Sequence, residues 1–587
     1  MNLHPRATSW RSVLFVVATC FASCQAFEWQ ASHSVAVLGN YLYIHGGKTT
    51  RPVAGEDSGW TPDNSTWAIP IDKSWSLGSG NFEKYAIEDP DFVSTAKPAM
   101  WPDPSGTRMY TWGGSSIGGN ANRNSNEPRL STFIRESDNS SEGKWERGQK
   151  KPEASSGQKL IHRTHLGSWT SCNGLGFYMG GYLHSATDNS TELWGRNKRA
   201  LPGLIVFNMT DGTWANQTAD DFGQGARRGT HLDGYAVCLP TLGTRNQGIV
   251  MFMAGLQGTI NDDGDNADVP MDRITFYDIG TRTFHTQKTT GAYTPDKRRR
   301  RGCAVATTDA ISSNRTGGYE IFMFGGVGIT PADLWILTVP GFRWFQAPPT
   351  GLPTTARSNL DCAVAGRGQR QMIAVGGYDE KQSDDTNAWT RQDDWPRNMQ
   401  VMDLTSLEWS GDYAADALPY QPPAMVADWN RNGGLAGVQW DDPSTRALFA
   451  DVLDGRPGDG QQGGSPPGGG PASGDPSSPA GTGGTNVAAI AGGVAGGVAA
   501  LLIAAAAGFY FYWYRPRRRQ IRENVVEAPG DGQWHQEVNA AQQPQKYRHE
   551  DGVKEMAGSP VAQAELESSC TPSVHELDVY TRRHELG

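Results

Sequence analysis

Tyr41-Leu-Tyr-Ile-His-Gly46-Gly47 is an apolar run that ends in a glycine pair, and the chain repeats it. The copies are Met109-Tyr-Thr-Trp-Gly113-Gly114, Gly176-Phe-Tyr-Met-Gly180-Gly181, Ile321-Phe-Met-Phe-Gly325-Gly326 and Met372-Ile-Ala-Val-Gly376-Gly377. A degenerate copy, Ile249-Val-Met-Phe-Met-Ala254-Gly255, fills the one gap in the series. A variable polar stretch follows each pair, and an aromatic closes each unit: Trp75, Trp145, Trp214, Phe284, Trp344 and Trp409. These aromatics stand 60 to 70 residues apart. Several follow a short strand-like run, such as Leu204-Ile-Val-Phe-Asn or Ile274-Thr-Phe-Tyr-Asp.

Each unit reads as a small antiparallel sheet. Strand periodicity sends alternate apolar side chains into the contact between neighbouring sheets. The glycine pair permits backbone angles or close approach that a side chain would block. The late aromatic supplies the large apolar surface needed in the wedge between two sheets. One such sheet cannot bury both faces alone, so the units are expected to pack in a ring.

The two-part signature resembles the kelch repeat, whose usual period is about 50 residues. Here the units are longer, and the excess lies mostly after the glycine pair. The resemblance covers roughly residues 27 to 409. It implies an all-β, kelch-type β-propeller of six or seven blades over residues 27–453. The stretch from Gly411 to Leu453 carries strand-like pieces with Trp429 and Trp440, and is read as closing the ring or supplying part of a seventh blade. Its sequence, from Tyr420-Gln-Pro-Pro to Ala447-Leu-Phe, resembles the end of the ectodomain in fungal kelch-repeat membrane proteins.

The flanks place this body outside a cell. Arg6 and Arg11 precede a short apolar run, Ser12 to Phe21, so residues 1–26 read as a signal peptide. Residues 454–486 are rich in Gly, Pro and Ser and read as a disordered stalk. Residues 487–514 carry no charge over 28 positions, enough for a transmembrane helix. The span ends in an aromatic cluster, and Arg515, Arg517, Arg518, Arg519 and Arg522 follow, which sets the C-terminus inside. Residues 515–587 read as a disordered cytoplasmic tail. Gly492, Gly493, Gly496 and Gly497 form a small-xxx-small pattern that lets two such helices approach as a homodimer. N-glycosylation acceptors stand at Asn64, Asn139, Asn189, Asn208, Asn216 and Asn314, all on one side of the span.

Four body cysteines remain once the signal peptide and tail are set aside: Cys172, Cys238, Cys303 and Cys362. In an oxidising compartment they form two disulfides, with three pairings open. A propeller puts the first strands of successive units side by side. With that fold, Cys172 with Cys238 and Cys303 with Cys362 is a candidate pairing; the alternative is four small buried thiols packing as apolar residues.

The function is less explicit than the fold. A net charge of −10 argues against a general nucleic-acid binder. Basic residues recur where units begin: Lys97, Arg163, Arg228, Arg301 and Arg357. In kelch-like propellers such positions lie near the partner-binding face, so they are candidates for a ligand-binding rim. The competing reading has each one bonding nearby backbone carbonyls. Acidic inserts at Asn261 to Asp268 and Asp379 to Asp385 are candidate calcium loops or plain solvated surface. The basic run Lys297 to Arg301 is a candidate processing site. Galactose-oxidase-like copper enzymes also use such propellers, but they need a Tyr-His pair, and no Tyr here precedes a His directly. His33, His45, His162, His165, His184, His231 and His285 are the body histidines. The expected function is recognition of an extracellular protein or glycan at the plasma membrane, without catalysis or cofactor. The alternatives are a copper ecto-enzyme and a structural surface glycoprotein.

Overall fold

The computed structural model describes residues 29–454, except 51–59, 79–80, 89–93, 118–128, 138–139, 151–160, 189–190, 192–197, 224, 260–264, 309–317, 328, 330, 349–352, 354–355 and 380–392. The chain divides into two units, Met1–Ser465 and Pro466–Gly587, and the second falls entirely outside the described residues. The signal peptide, stalk, span, tail, glycine pattern and the sequons at Asn139, Asn189 and Asn314 therefore lie outside them too. Among the described residues, no helix is long and apolar enough to cross a membrane.

Six four-stranded antiparallel sheets make up the described body. Their first strands are Ser34–Leu38, Ala99–Pro102, Ser168–Cys172, Tyr235–Leu239, Cys303–Thr307 and Arg357–Ala365. Each first strand lies against the next in chain order, and the sixth lies against the first. That cyclic adjacency makes a six-bladed β-propeller with the first strands innermost, around a central channel. Every blade is a contiguous segment, with its four strands paired in sequence order.

The second strands explain the glycine pairs. These strands, such as Tyr41–His45 and Ile249–Met253, are almost wholly buried, as a strand covered by a blade on each side must be. At their ends the chain turns sharply. Gly46 and Gly47 have φ of 73° and 85°. A Cβ on Gly47 would sit 2.5 Å from the Ala31 carbonyl oxygen and 2.6 Å from the His33 nitrogen. In the degenerate copy Ala254 takes φ of 57°, a left-handed angle that L-residues adopt at a cost of about 1–2 kcal/mol.

Five of the six closing aromatics sit on outermost strands and reach the inter-blade wedge or its edge. Trp145 stacks on His45 of the preceding blade at 4.4 Å, and its indole N–H donates to Thr66 Oγ1 at 3.0 Å. Trp214 packs 4.9 Å from Trp112 of the preceding blade. Trp344 donates to the Met271 carbonyl, and Trp409 packs 4.7 Å from Phe324. Trp75 departs from the pattern. It lies in an insert between the third and outermost strands of blade one, where Trp75–Ser76 pairs with Asp412–Tyr413. Its ring stacks on Tyr413 at 5.1 Å, joining the end of the last blade to the first.

The stretch after blade six follows the first of the two readings the sequence offered, helping to close the ring through Asp412–Tyr413. It adds no seventh blade, and its only strand is Asp412–Tyr413. Its remainder forms helices at Ala424–Arg431, Pro443–Ala447 and Ala450–Leu453. The fold is therefore mostly β with a helical strap. Tyr420 donates its N–H to the Gly368 carbonyl at 2.9 Å and its hydroxyl to Glu320 at 3.0 Å. Trp429 packs edge-on to Phe345, and Phe449 is fully buried beside Phe276 and Phe342. Gly368 and Gly243, which donates to the Leu448 carbonyl, both belong to turns between first and second strands. The strap thus lies on the hairpin face. The opposite end of the channel receives the starts of the first strands and the long connections between second and third strands.

Candidate functional site

Six residues at that loop-face end share one conformation. Ser32, Lys97, Leu166, Asp233, Arg301 and Asn359 have φ of 58°, 52°, 60°, 56°, 57° and 58°. None is glycine, and one comes from each blade. In blades one to five each stands two positions ahead of the innermost strand, which starts at Ser34, Ala99, Ser168, Tyr235 and Cys303. Non-glycine residues rarely adopt this region, and a cluster of them marks a place where the surroundings enforce it.

Backbone hydrogen bonds between blades supply that enforcement. The Ser32 N–H donates to the Asn359 carbonyl at 2.9 Å, and the Asn359 N–H to the Arg301 carbonyl at 2.6 Å. Arg301 donates to Asp233 at 3.0 Å, Asp233 to Leu166 at 2.6 Å, and Lys97 to Ser32 at 2.8 Å. The bonds run head to tail around the channel mouth. Among the described residues the link from Leu166 to Lys97 is not made. Each net bond is worth about 0.5–1.5 kcal/mol, similar to the conformational cost of the residue that makes it.

Below this collar lies a cavity of about 180 Å³ in the channel. Its lining includes Lys97, Trp169, Asp233, Tyr235, Arg301 and Asp361, with small residues such as Ala236 and Ala304 keeping the space clear. Lys97 Nζ donates to the Leu360 carbonyl at 2.7 Å. Burial pulls its ammonium below the usual lysine range, and Asp361 and Asp233 oppose that. Asp361 accepts from the Val35 N–H and from its neighbour Cys362, both at 2.9 Å. Burial raises its carboxyl, with Lys97 opposing. Arg301 Nε donates to the buried Asp233 at 3.1 Å. The Tyr235 hydroxyl accepts the Gly302 N–H at 2.9 Å, and burial pushes this phenol up. The cavity thus holds two cations and two carboxylates, each tied into the fold.

The five basic candidates separate in space. Lys97 and Arg301 meet at the channel cavity. Arg163 is buried and donates to the Thr187 carbonyl at 2.6 Å. Arg357 is fully buried, with its guanidinium 5.0 Å from the Trp29 ring and 4.1 Å from Trp395, and it pairs with Asp393 and Asp394. Arg228 is exposed in a turn beyond the short helix Gly225–Arg227 and does not line the cavity. Asp233, Asp361, Trp169 and Tyr235 escape the sequence reading because their residue types do not repeat between blades.

Cys172–Cys238 and Cys303–Cys362 are disulfides, with Cα atoms 5.5 Å and 5.8 Å apart, and each joins consecutive blades. Within the basic run, Lys297 and Arg298 are exposed, whereas Arg299 is fully buried against the Gly325 carbonyl and Asp333. The end of the first acidic insert forms a strand, Asn266–Asp268, and Asp265 pairs with Arg227. Asn64 is exposed, and Asn208 and Asn216 are half-buried on blade three. His162 pairs with Asp188 at 3.0 Å, and His184 Nε2 lies 3.2 Å from His165 Nδ1. Among the described residues no three His, Cys, Asp or Glu side chains gather as a metal-binding group.

No family model matches the chain. A curated "Kelch repeat-containing protein" from Arthroderma benhamiae is 26% identical over an alignment of 425 positions that covers 65% of this chain. The match spans only 57% of that relative's length. A solved structure titled "Structure of YjhT" overlaps 65% of this chain and 97% of its own, at 10% identity and a TM-score of 0.40, too loosely to bear on the fold. The relative and the six radially arranged sheets together support kelch-like repeats in a β-propeller.

Proposed function

We propose that the chain is a non-enzymatic, cell-surface binding protein that recognises an extracellular protein or glycan at the loop face of its propeller. One observation carries this reading. The loop-face end of the channel gathers Lys97, Asp233 and Arg301 on a collar of left-handed residues above a polar cavity, while the helical strap occupies the hairpin face. Rigid blades that present variable loops and polar groups at one end are suited to recognition. The signal peptide, the one-sided sequons and the apolar span at 487–514 support display outside the cell on a single membrane helix.

The test is a screen of the secreted propeller, ended before the stalk, against arrays of surface proteins and glycans. The reading predicts a ligand whose binding is lost in Arg301→Ala and kept in Leu418→Ser, which alters an exposed strap residue. Stoichiometric copper in the purified protein, with peroxide release on sugars, would replace this reading with the ecto-enzyme.

A further inference from the structure

We propose that the channel cavity is a subsite for one uncharged, hydroxyl-rich residue of about the size of a single sugar ring. This inference rests on the binding role of the loop face and assigns the chemistry that its channel takes.

Size comes first. A cavity of about 180 Å³ is smaller than the roughly 300 Å³ at which pockets begin to hold drug-sized ligands. It accommodates a monosaccharide unit and excludes a folded segment.

Charge comes second. Lys97 and Arg301 balance Asp233 and Asp361, and every one of the four already has a partner in the fold. An anionic ligand would have to draw Arg301 away from Asp233, leaving a buried carboxylate uncompensated. A cationic ligand would compete with Lys97 and Arg301 for the same two carboxylates. Either exchange is unfavourable in a confined site, because a buried charge loses its partner. A hydroxyl avoids both costs, because it donates to a carboxylate oxygen and accepts from an N–H at once. An apolar ligand is disfavoured for the converse reason, since it would strip water from four charges and return no hydrogen bond.

Shape comes third. Ala236 and Ala304 keep two lining positions small, and of the two large aromatics that innermost strands place in the lining, Tyr235 is engaged with the Gly302 N–H, which leaves Trp169. Its half-buried indole offers a flat wall to the C–H face of a ring.

The experiment is saturation-transfer NMR and calorimetry on the secreted propeller. The probes are glucose, galactose, mannose and N-acetylglucosamine, with glucuronate and glucosamine as charged counterparts. At least one neutral sugar is expected to bind about tenfold or more tighter than either charged one. Ala304→Leu, which fills the cavity from a strand position, is expected to abolish that binding while the melting temperature holds. Trp169→Ala is expected to weaken it about tenfold. Absence of neutral-sugar binding, equal or tighter binding of a charged counterpart, or full binding by the folded Ala304→Leu variant each overturns the inference. A chain that captures a protein partner through Arg301 but binds no sugar loses this subsite and keeps the binding role.

Discussion

The carboxylate of Asp361, on the innermost strand of blade six, accepts the backbone N–H of Val35, on the innermost strand of blade one, at 2.9 Å. Among the described residues each blade takes its four strands from one contiguous segment, so the ring closes through contacts of this kind and through the pairing of Asp412–Tyr413 with Trp75–Ser76. Ser32 to Asn359 and Tyr413 to the Ile71 carbonyl are two more.

Asp361→Ala removes the acceptor and leaves the Val35 N–H without its partner. An unsatisfied buried donor costs about 1–3 kcal/mol. The variant is expected to lose that much stability in urea titration, and Asp361→Asn, which retains an oxygen, to lose less. An unchanged midpoint for Asp361→Ala would mean that the closure does not depend on this bond.

Arg357 is the structural counterpart of the channel cations Lys97 and Arg301. It lies between Trp29 and Trp395 and neutralises Asp393, whose side chain is 5% exposed. Arg357→Met strands that carboxylate and is expected to destabilise the protein by roughly 3–5 kcal/mol. Arg357→Lys is expected to recover little, since a point charge cannot reproduce the planar fork. Denaturant midpoints of the two variants check both statements.

Acid is expected to weaken the propeller through its buried histidines. Burial lowers His45 to about 3 and His231 to about 4, although the Ala254 carbonyl opposes the latter shift. The unfolded chain takes up these protons near 6.5, well before the folded one does. Stability from the neutral imidazoles is therefore complete above that value and falls as pH drops toward 4, by up to ~1.4 kcal/mol per unit for each histidine. Asp361 runs the other way, because its raised carboxyl lets the native state take up a proton first, and this offset appears only at the acid end. Urea midpoints measured across this range should slope downward, and His231→Asn should reduce the slope by one proton.

Much of this was legible in the repeat. Six apolar runs with their glycines gave the blades, because a doubly covered strand must be apolar and its turn must be left-handed. Closing aromatics such as Trp145 and Trp214 were legible for the same reason. Trp75 misled, since an indole in an inserted loop has the same spacing as one on an outer strand. The strap misled too, because short helices that bury Phe449 and Val426 carry too few turns to show a period. The collar was illegible for another reason. Ser32, Lys97, Leu166, Asp233, Arg301 and Asn359 share a backbone angle but no side-chain chemistry. Arg163 and Arg357 looked like rim cations because a basic residue serves equally to bind a ligand and to bond buried carbonyls.

Membrane anchorage can be tested without any ligand. The full chain is expected to stay in the membrane pellet through alkaline carbonate extraction, and deletion of residues 487–514 is expected to release it. Endoglycosidase treatment should lower its apparent mass, as the one-sided sequons require. A carbonate-soluble, unglycosylated full-length chain would contradict surface display.

The most direct test of the central claim compares the two ends of the channel in one binding assay. Once a ligand has been found, its affinity is measured for the wild type, Arg301→Ala at the loop face and Leu418→Ser on the strap. Loss of binding in the first variant alone is the predicted result. Loss in the second alone would put recognition on the hairpin face and contradict the account.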